Sequence, residues 1–526
     1  MYCLQPQRLF TSPPPTHIPE VNPVLQHVST LLRIKDQCPD LKLIISIDPL
    51  ADGEAPGHSR KELLAGWAAE KGVQLLSLAD VELLGTAHPR PLSPPSPDDP
   101  ITINYTSGTT GPPKGVILSH ANCVASCSCA MSSNMYQTPY DVMLSYLPLA
   151  HIYGRLAENA ALWGGAAIGY FHGDILKLVD DLKELRPTTF VSVPRLFNRI
   201  ASAIRANTVD APGIRGALSR HALAAKLAHM HTTGSNRHAL YDRIWANKVK
   251  AAIGLDRCRA MVSGSAPIAP DVLSTLRAVF GNDLIEGYGL TETYAVALGQ
   301  LPQDNSTANC GPPSLAVEVR LRDVPNMGYT AADQPCPRGE LLVRGHSVFK
   351  QYYKSPATTA DAIDADGWFA TGDICYVDRL GRFSVVDRVK NLLKLAQGEY
   401  VSPEKIENQY LAGFPVLAQG LVHGDSLQPF LVAVFGVDRA NFAAFASAVL
   451  GRAVPAADDR AILAACADRA VRAAVLAEMD RVAARSKLAG FERVRNVHLC
   501  LDPFTIENDL LTPTYPPLSP PQSQMD

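Results

Sequence analysis

A turn of hydroxyl and glycine residues, followed by one lysine, lies between Tyr105 and Gly115. It follows the apolar, strand-like run Ile101–Tyr105 and precedes a stretch from Val116 to Ala130 that we expect to be helical. Backbone N–H groups in such a turn can bind phosphate, and the lysine adds a positive charge. The Gly-Lys pair followed by Ser or Thr that marks a P-loop is absent. Taken alone, the turn is compatible with a phosphate site or with an ordinary polar loop.

Phosphate binding of this kind suits the activation of a carboxylic acid. A carboxylate is a poor electrophile, so joining it to a thiol requires a better leaving group, which ATP supplies through an acyl-adenylate. That chemistry needs a loop for the triphosphate, a cation that offsets its charge, and a pocket that places the carboxylate against the α-phosphorus. The turn can supply the loop, and other residues must supply the rest.

The string from Tyr105 to Gly115, YTSGTTGPPKG, resembles the signature of the adenylate-forming, AMP-binding superfamily. The resemblance extends through almost the entire chain in further stretches, which are Leu147–Tyr153, Ser263–Pro267, Glu286–Thr293, Asp366–Ile374 and Asp387–Asn391. It implies an α/β fold with a large multi-sheet amino-terminal domain and a small mobile α+β carboxyl-terminal domain. It also implies ATP, Mg²⁺ and coenzyme A as cofactor, metal and co-substrate.

The resemblance assigns an expected role to each matching residue. Lys114, His151, Thr291 and Glu292 are the expected catalytic residues, with His151 beside the substrate carboxylate and Thr291 near the α-phosphate. Thr106 and Glu292 are the expected magnesium ligands, since one carboxylate, a hydroxyl and substrate phosphates are a usual magnesium set. The expected nucleotide-binding residues are Thr106, Ser107, Gly108, Thr109, Thr110, Gly111, Lys114, Gly264, Ser265, Glu286, Gly287, Tyr288, Gly289, Thr291, Asp373 and Arg388.

Several residues of this set receive specific contacts from the resemblance. Tyr288 would stack on adenine, and Arg388 would contact the nucleotide beside a hinge at Asp387. Asp373 would accept hydrogen bonds from the ribose hydroxyls, since two acceptor oxygens suit a vicinal diol. Outside the motifs each type has an ordinary interpretation, because a lone histidine is more often a core residue and a charged residue in a turn is usually solvated.

Two features favour the long-chain fatty acyl-CoA synthetases within the superfamily. One is the run Lys394–Val401, KLAQGEYV, and the other is the helical insertion that contains His229 to Trp245. They imply a fatty acid:CoA ligase that acts through acyl-AMP. Two alternatives stay open: a nonproductive nucleotide- or acyl-binding protein derived from such an enzyme, and an adenylate-forming ligase for another acid, such as an aryl or polyketide acid.

The elements that must position these residues follow from apolar runs and turn residues. Val24–Thr86 alternates short apolar runs with helical stretches, which is typical of a parallel sheet covered by helices. Further strands are expected at Arg259–Val262 and Glu340–Val343, and Ala-rich helix from Arg439 to Leu488. We therefore expect a disordered arm at 1–22, a large AMP-binding domain at 23–386, a lid domain at 387–512 and a disordered Pro-rich tail at 513–526.

Two departures from the family pattern carry expectations of their own. Family members commonly have a further segment upstream of the first match near Val24, and its loss would leave sheet edges and apolar faces uncovered. In the family, a lysine follows the motif found here at Leu511–Thr514, yet no lysine follows Lys487. We expect adenylation to be weakened, because losing comparable electrostatic stabilisation costs about 10²- to 10³-fold.

Composition excludes several other classes of protein. The 526 residues are 47% hydrophobic and 19% charged with a net charge of −3, so no basic surface for nucleic acid is expected. Cys123, Cys127 and Cys129 match no zinc spacing, and the eleven cysteines fit a reducing compartment. Charged residues interrupt the apolar stretch Leu144–Phe171, so it should not span a bilayer. We expect the cytoplasmic face, peripheral to the endoplasmic reticulum or peroxisome membrane, without a signal peptide.

Overall fold

The computed structural model describes residues 23–47, 49–50, 60–106, 113–133, 135–388, 393–396, 399–424, 428–501 and 504. The predicted arm, the Pro-rich tail and the Leu511–Thr514 motif lie outside these residues. The chain divides into two compact units, residues 1–94 and 95–526.

Twenty strands are present among the described residues. They are β1 Leu43–Ser46, β2 Gln74–Ser77, β3 Pro100–Thr106, β4 Lys114–Ser119, β5 Val142–Ser145, β6 Ala167–Tyr170, β7 Thr189–Ser192, β8 Ala260–Ser263, β9 Asp283–Tyr288, β10 Leu298–Gly299, β11 Val317–Arg322, β12 Arg338–Gly345, β13 Gln351–Tyr352, β14 Phe369–Val377, β15 Phe383–Arg388, β16 Leu393–Lys394, β17 Tyr400–Val401, β18 Leu417–Gly424, β19 Leu431–Val437 and β20 Val494–Cys500.

The α-helices of the same residues lie between and around these strands. They are α1 Pro23–Arg33, α2 Arg60–Glu70, α3 Leu78–Ala87, α4 His120–Met131, α5 Ile152–Gly164, α6 Leu178–Leu185, α7 Pro194–Ile204, α8 Gly213–Thr233, α9 Ala239–Tyr241, α10 Asn247–Ala252, α11 Pro270–Phe280, α12 Pro356–Ala362, α13 Pro403–Gly413, α14 Arg439–Leu450, α15 Asp459–Ala467 and α16 Arg469–Arg485.

The first unit is a small β/α layer. Its strands β1 and β2 pair in parallel, and the helices α1 and α2 pack against them, so the predicted β/α alternation is confirmed. Burial alternates along β1, with Ile44 inside the layer. Leu43, Ile45 and Ile47 remain exposed, and Ile47 retains 79% of its accessible surface. One apolar face of this strand is therefore uncovered within its unit.

The second unit contains several sheets, as the predicted multi-sheet fold requires. The largest has the strand order β10-β9-β8-β7-β5-β6 and is parallel except for the β9–β10 pair. Beside it are the antiparallel sheets β11-β12-β14-β15 and β13-β4-β3. The predicted strands at Ile101–Tyr105, Arg259–Val262 and Glu340–Val343 are confirmed as β3, β8 and β12, apart from their ends.

The segment after Lys114 differs from our expectation. Val116–Ser119 belongs to strand β4, which is hydrogen-bonded to β3 on one side and β13 on the other, and α4 begins only at His120. Burial of Val116 and Leu118 between these neighbours favours the strand. Ser119 caps the helix, because its hydroxyl accepts a hydrogen bond from the N–H of Asn122. The prediction of helix from Val116 is therefore wrong.

The last part of the chain has a hydrophobic core of its own. Helices α13 to α16 and the sheet β18-β19-β20 bury a separate apolar cluster that extends from Leu395 to Leu499. Val471, Val475, Met479 and Val482 recur at helical spacing along α16 and are buried in it. The predicted boundary between 386 and 387 stays a prediction, since both sides lie within the second unit. No helix among the described residues is long and apolar enough to cross a bilayer.

Candidate active site

Strands β3 and β4 form the two sides of the predicted phosphate turn. They pair antiparallel, and Thr106 lies directly opposite Lys114. The hairpin therefore places the hydroxyl and the ammonium at the start and end of the same turn. Ser107, Gly108, Thr109, Thr110 and Gly111 lie outside the described residues, so their expected contacts with phosphate stay predictions.

A short strand, β13, joins this hairpin to the Thr-Glu-Thr segment, which is Thr291–Thr293. Tyr352 lies opposite Val116 of β4, and the N–H of Tyr353 donates to the carbonyl oxygen of Gly115 at 2.7 Å. The phenol of Tyr352 donates to Glu292 Oε1 at 2.8 Å, while Lys114 Nζ lies 5.2 Å from the centroid of the same ring. Lys114 and Glu292 therefore meet around one tyrosine.

The turn that carries Glu292 has little conformational freedom. A Cβ added to Gly289 would lie 2.2 Å from the carbonyl oxygen of Ala295, so the backbone passes too closely for any other residue. Thr293 Oγ1 accepts a hydrogen bond from the N–H of Leu290 at 2.9 Å. Tyr294 and Ala295 then adopt φ of 48° and 69°, the left-handed region, which turns the chain back on itself. Glu292 is thus held by a tightly constrained loop.

The surroundings of Glu292 suit a bound divalent cation. Burial raises the pKa of this carboxyl, whereas the Tyr352 hydrogen bond and the charges of Arg388 and Lys114 lower it. A partly buried carboxylate whose charge is only partly balanced by nearby cations can bind a hard cation. No group of three or more His, Cys, Asp or Glu side chains in the described part of the chain could hold a metal by itself. Magnesium would therefore take its remaining ligands from phosphate oxygens, the Thr106 hydroxyl and water.

Asp373 forms a second polar centre with two other predicted residues. It lies on β14 opposite Arg388 of β15, and Arg388 Nε is 3.3 Å from Asp373 Oδ1. The phenol of Tyr288, at the end of β9, donates to Asp373 Oδ2 at 2.5 Å. Asp373 is only 3% exposed, and burial raises its pKa although Arg388 and Tyr288 lower it. A carboxylate has about four acceptor positions, so two remain for a diol.

His151 caps helix α5. Its Nδ1 accepts a hydrogen bond from the N–H of Tyr153 at 3.2 Å, and burial lowers its pKa, which favours the neutral imidazole at pH 7. The preceding carbonyl, that of Ala150, accepts a hydrogen bond from Asn104 of β3 at 2.8 Å. The His151 segment is therefore hydrogen-bonded to the β3–β4 hairpin, which carries the predicted phosphate turn. A neutral ring beside a carboxylate can donate one hydrogen bond without forming an ion pair.

Gly264 and Ser265 follow strand β8 and lie beside the His151 segment. The phenol of Tyr153 donates to the carbonyl oxygen of Val262 at 3.1 Å. A Cβ on Gly264 would approach the Tyr153 ring to 3.2 Å, so a larger residue would need the ring to move. Ser265 has φ of 75°, an uncommon conformation for a residue with a Cβ. These contacts bring two predicted motifs together.

Glu286, which we expected to bind the nucleotide, lies in the interior of the large sheet. It is 5% exposed, its Oε1 accepts a hydrogen bond from Ile268 N–H at 3.3 Å, and burial raises its pKa to about 7. The positive charge of Arg277 lowers that pKa. The neighbouring Gly287 pairs with Gly299 of β10. A nucleotide contact by Glu286 stays a prediction.

Sequence reasoning missed Tyr352. It belongs to the run Lys350–Lys354, in which nothing but its aromatic composition distinguishes it. Its contacts with Lys114 and Glu292 arise only when β13 pairs with β4, and no spacing in the sequence indicates that pairing.

Comparisons with known proteins find similar sequences and a similar structure. Residues 5–353 match the family described as AMP-binding enzyme. A relative from Penicillium roqueforti, named peroxisomal acyl-CoA ligase 891, is 53% identical over 501 residues, which cover 94% of this chain and 71% of that protein. A relative from Arabidopsis thaliana, named peroxisomal long chain acyl-CoA synthetase 6, is 42% identical over 492 residues, which cover 94% of this chain and 67% of that protein.

A solved structure extends the comparison to the fold. The A domain of a carboxylic acid reductase from Segniliparus rugosus, in complex with AMP and a co-purified carboxylic acid, aligns with a TM-score of 0.71 at 26% identity. The alignment covers 94% of this chain and 72% of that chain. The expected fold is confirmed.

Proposed function

We propose the function of this chain from one premise: it belongs to the AMP-binding enzyme family. It activates a long-chain fatty acid with ATP and transfers the acyl group to coenzyme A. The meeting of Lys114 and Glu292 around Tyr352 carries this proposal, because it joins a phosphate hairpin to an acidic turn at one place. The names of the similar proteins, an acyl-CoA ligase and a long chain acyl-CoA synthetase, support the acyl substrate.

The reaction has two steps. A carboxylate oxygen attacks the α-phosphorus of ATP, the bond to the β-phosphate oxygen breaks, and pyrophosphate leaves with that electron pair. The coenzyme A sulfur then attacks the acyl carbonyl carbon, AMP leaves, and the thiol proton passes to solvent. The products are acyl-CoA, AMP and pyrophosphate.

We assign the residues of this chain to distinct tasks. The Lys114 ammonium would neutralise charge on the triphosphate, and Asp373 would hold the ribose, with Tyr288 and Arg388 orienting its carboxylate. His151 would contact the substrate carboxylate as a neutral hydrogen-bond donor. When bound through Glu292 and Thr106, Mg²⁺ would offset the charge on the leaving pyrophosphate. Positioning and electrostatics of this kind account for most of the barrier reduction in such reactions.

We also propose that residues 387–512 act as a lid that rotates about Asp387. The separate hydrophobic core of Leu395 to Leu499 supports this, because a domain with its own core can move as a body. A lid that serves two half-reactions in turn is a common reason for such rotation.

The location we propose is the peroxisome. The relatives from Penicillium roqueforti and Arabidopsis thaliana are both named as peroxisomal. Co-localisation of a fluorescent fusion with a peroxisomal marker tests this, and a reticular pattern would contradict it. Membrane contact and contact with the endoplasmic reticulum stay predictions.

A substrate panel tests the proposed function. Purified protein is incubated with ATP, Mg²⁺, coenzyme A and one acid at a time, with saturated acids from octanoate to eicosanoate and benzoate as an aryl acid. Acyl-CoA is measured by liquid chromatography. We expect product with the long-chain acids and little with benzoate, whereas preference for benzoate, or ATP binding without any acyl-CoA, would contradict the proposal.

A further inference from the structure

The backbone of residues 349–353 links the two motifs of the proposed site. The N–H of Phe349 donates to the carbonyl oxygen of Glu292 at 2.8 Å. At the other end, Tyr352 pairs with Val116 in β4 and Tyr353 donates to Gly115. The segment therefore contacts the acidic turn and the strand that begins with Lys114 at the same time.

The side chain of Tyr352 also contacts both motifs, through Glu292 and Lys114, and is itself packed in a fixed position. Tyr352 is 5% exposed, and its ring centroid lies 4.7 Å from that of Phe349. Its backbone N–H donates a hydrogen bond to Thr359 Oγ1 at 3.0 Å. A ring packed in this way has few alternative orientations. The direction of its hydroxyl toward Glu292 is therefore fixed by the fold.

Tyr352 contacts Lys114 and Glu292 through different parts of its side chain. The ammonium interacts with the ring face and the carboxylate with the hydroxyl. Among the ion pairs of the described residues, none joins Lys114 to Glu292. A direct pair would neutralise two charges that a cation and a triphosphate need.

We propose that Tyr352 is a positioning residue for the ATP·Mg²⁺ complex: its phenol holds one oxygen of Glu292 and leaves the other for the cation, while its ring holds Lys114 on the phosphate side. This inference rests on the proposed function of the site. It names a task for a residue that lies outside the motifs identified from the sequence.

The test measures ATP binding without turnover. Tyr352→Phe removes only the hydroxyl and retains the ring beneath Lys114. ATP affinity is measured by isothermal titration calorimetry across a range of Mg²⁺ concentrations, with acid and coenzyme A omitted. We expect the half-saturating Mg²⁺ concentration to rise about tenfold, because the hydrogen bond that holds Glu292 Oε1 is lost. ATP affinity without Mg²⁺ should stay unchanged.

Two further variants separate positioning from general structural damage. Tyr353→Phe makes the same chemical change at the adjacent, half-exposed residue and should leave the Mg²⁺ dependence unchanged. In a Glu292→Gln background, Tyr352→Phe should have little further effect on that dependence, because the two residues would act through one hydrogen bond.

The inference would be overturned if Tyr352→Phe left the Mg²⁺ dependence of ATP binding unchanged. It would also be overturned if Tyr352→Phe raised the half-saturating Mg²⁺ concentration equally in the wild-type and Glu292→Gln backgrounds. A wild-type chain that binds ATP·Mg²⁺ but makes no acyl-CoA would instead overturn the proposed function and leave the Tyr352 result interpretable. Steady-state data with palmitate give the second readout: a higher KM for ATP·Mg²⁺ with a smaller change in kcat supports positioning, and a fall in kcat alone contradicts it.

Discussion

The phenol of Tyr288 donates a hydrogen bond to Asp373 Oδ2 at 2.5 Å, although the two residues lie in different sheets. Tyr288 ends β9 of the large sheet, and Asp373 belongs to β14 of the four-stranded antiparallel sheet. The pair therefore joins the expected adenine side of the nucleotide site to the expected ribose side. Arg388 completes the group from the adjacent strand β15.

Asp373→Asn should weaken ATP binding. Asparagine keeps the shape but loses the charge that would strengthen hydrogen bonds from ribose, and such bonds contribute about 1.5–3 kcal/mol. We expect KM for ATP to rise about 10- to 100-fold with KM for palmitate unchanged. Asp364→Asn is the matched control, because Asp364 also pairs with an arginine but is partly exposed beside Trp368. Equal effects of the two substitutions on KM for ATP would contradict the assignment.

Gly289→Ala should displace the turn that carries Glu292. The new Cβ would meet the Ala295 carbonyl oxygen at 2.2 Å, and overpacking of this kind costs about 1–3 kcal/mol. We expect a lower melting temperature together with a loss of acyl-AMP formation. Gly299→Ala, where a Cβ would meet nothing within 4 Å, should change both much less. Normal activity in Gly289→Ala would show that the close approach is unimportant for the site.

Glu286 should make stability depend on pH. Its folded pKa of about 7 lies above the usual value of 4.5, so the folded state keeps a proton that the unfolded chain loses between these values. Stability from this group is therefore full below about pH 4.5 and declines as the pH rises to about 7, by on the order of 3 kcal/mol.

Glu286→Gln does not titrate and isolates that contribution. Thermal melts of both proteins are recorded from pH 5 to pH 8. The melting temperature of the wild type, taken relative to the variant, should decrease through this range. A difference that is constant or that increases with pH would contradict the burial argument for Glu286.

Local motifs were predictable because their residues are adjacent in sequence. Glu286 to Thr293 forms one strand and one turn, so the stretch could be identified without knowing what packs against it. Val116 shows the limit of such reasoning, since its β structure depends on pairing with β3 and β13 on both sides. Tyr352 is a clearer example of this limit, because its proposed role depends on contacts with residues that are distant in the sequence.

Formation of acyl-AMP in a single turnover tests the central claim most directly. Enzyme in excess is mixed with ATP, Mg²⁺ and radiolabelled palmitate, without coenzyme A, and palmitoyl-AMP is separated after quenching. Even a slow adenylation is visible in this format. We expect palmitoyl-AMP with the wild type and a rate lower by on the order of 10²-fold in Glu292→Gln, which loses the carboxylate facing Lys114 but retains an acceptor for Tyr352. Absence of palmitoyl-AMP with the wild type, or an unchanged rate in Glu292→Gln, would contradict the account.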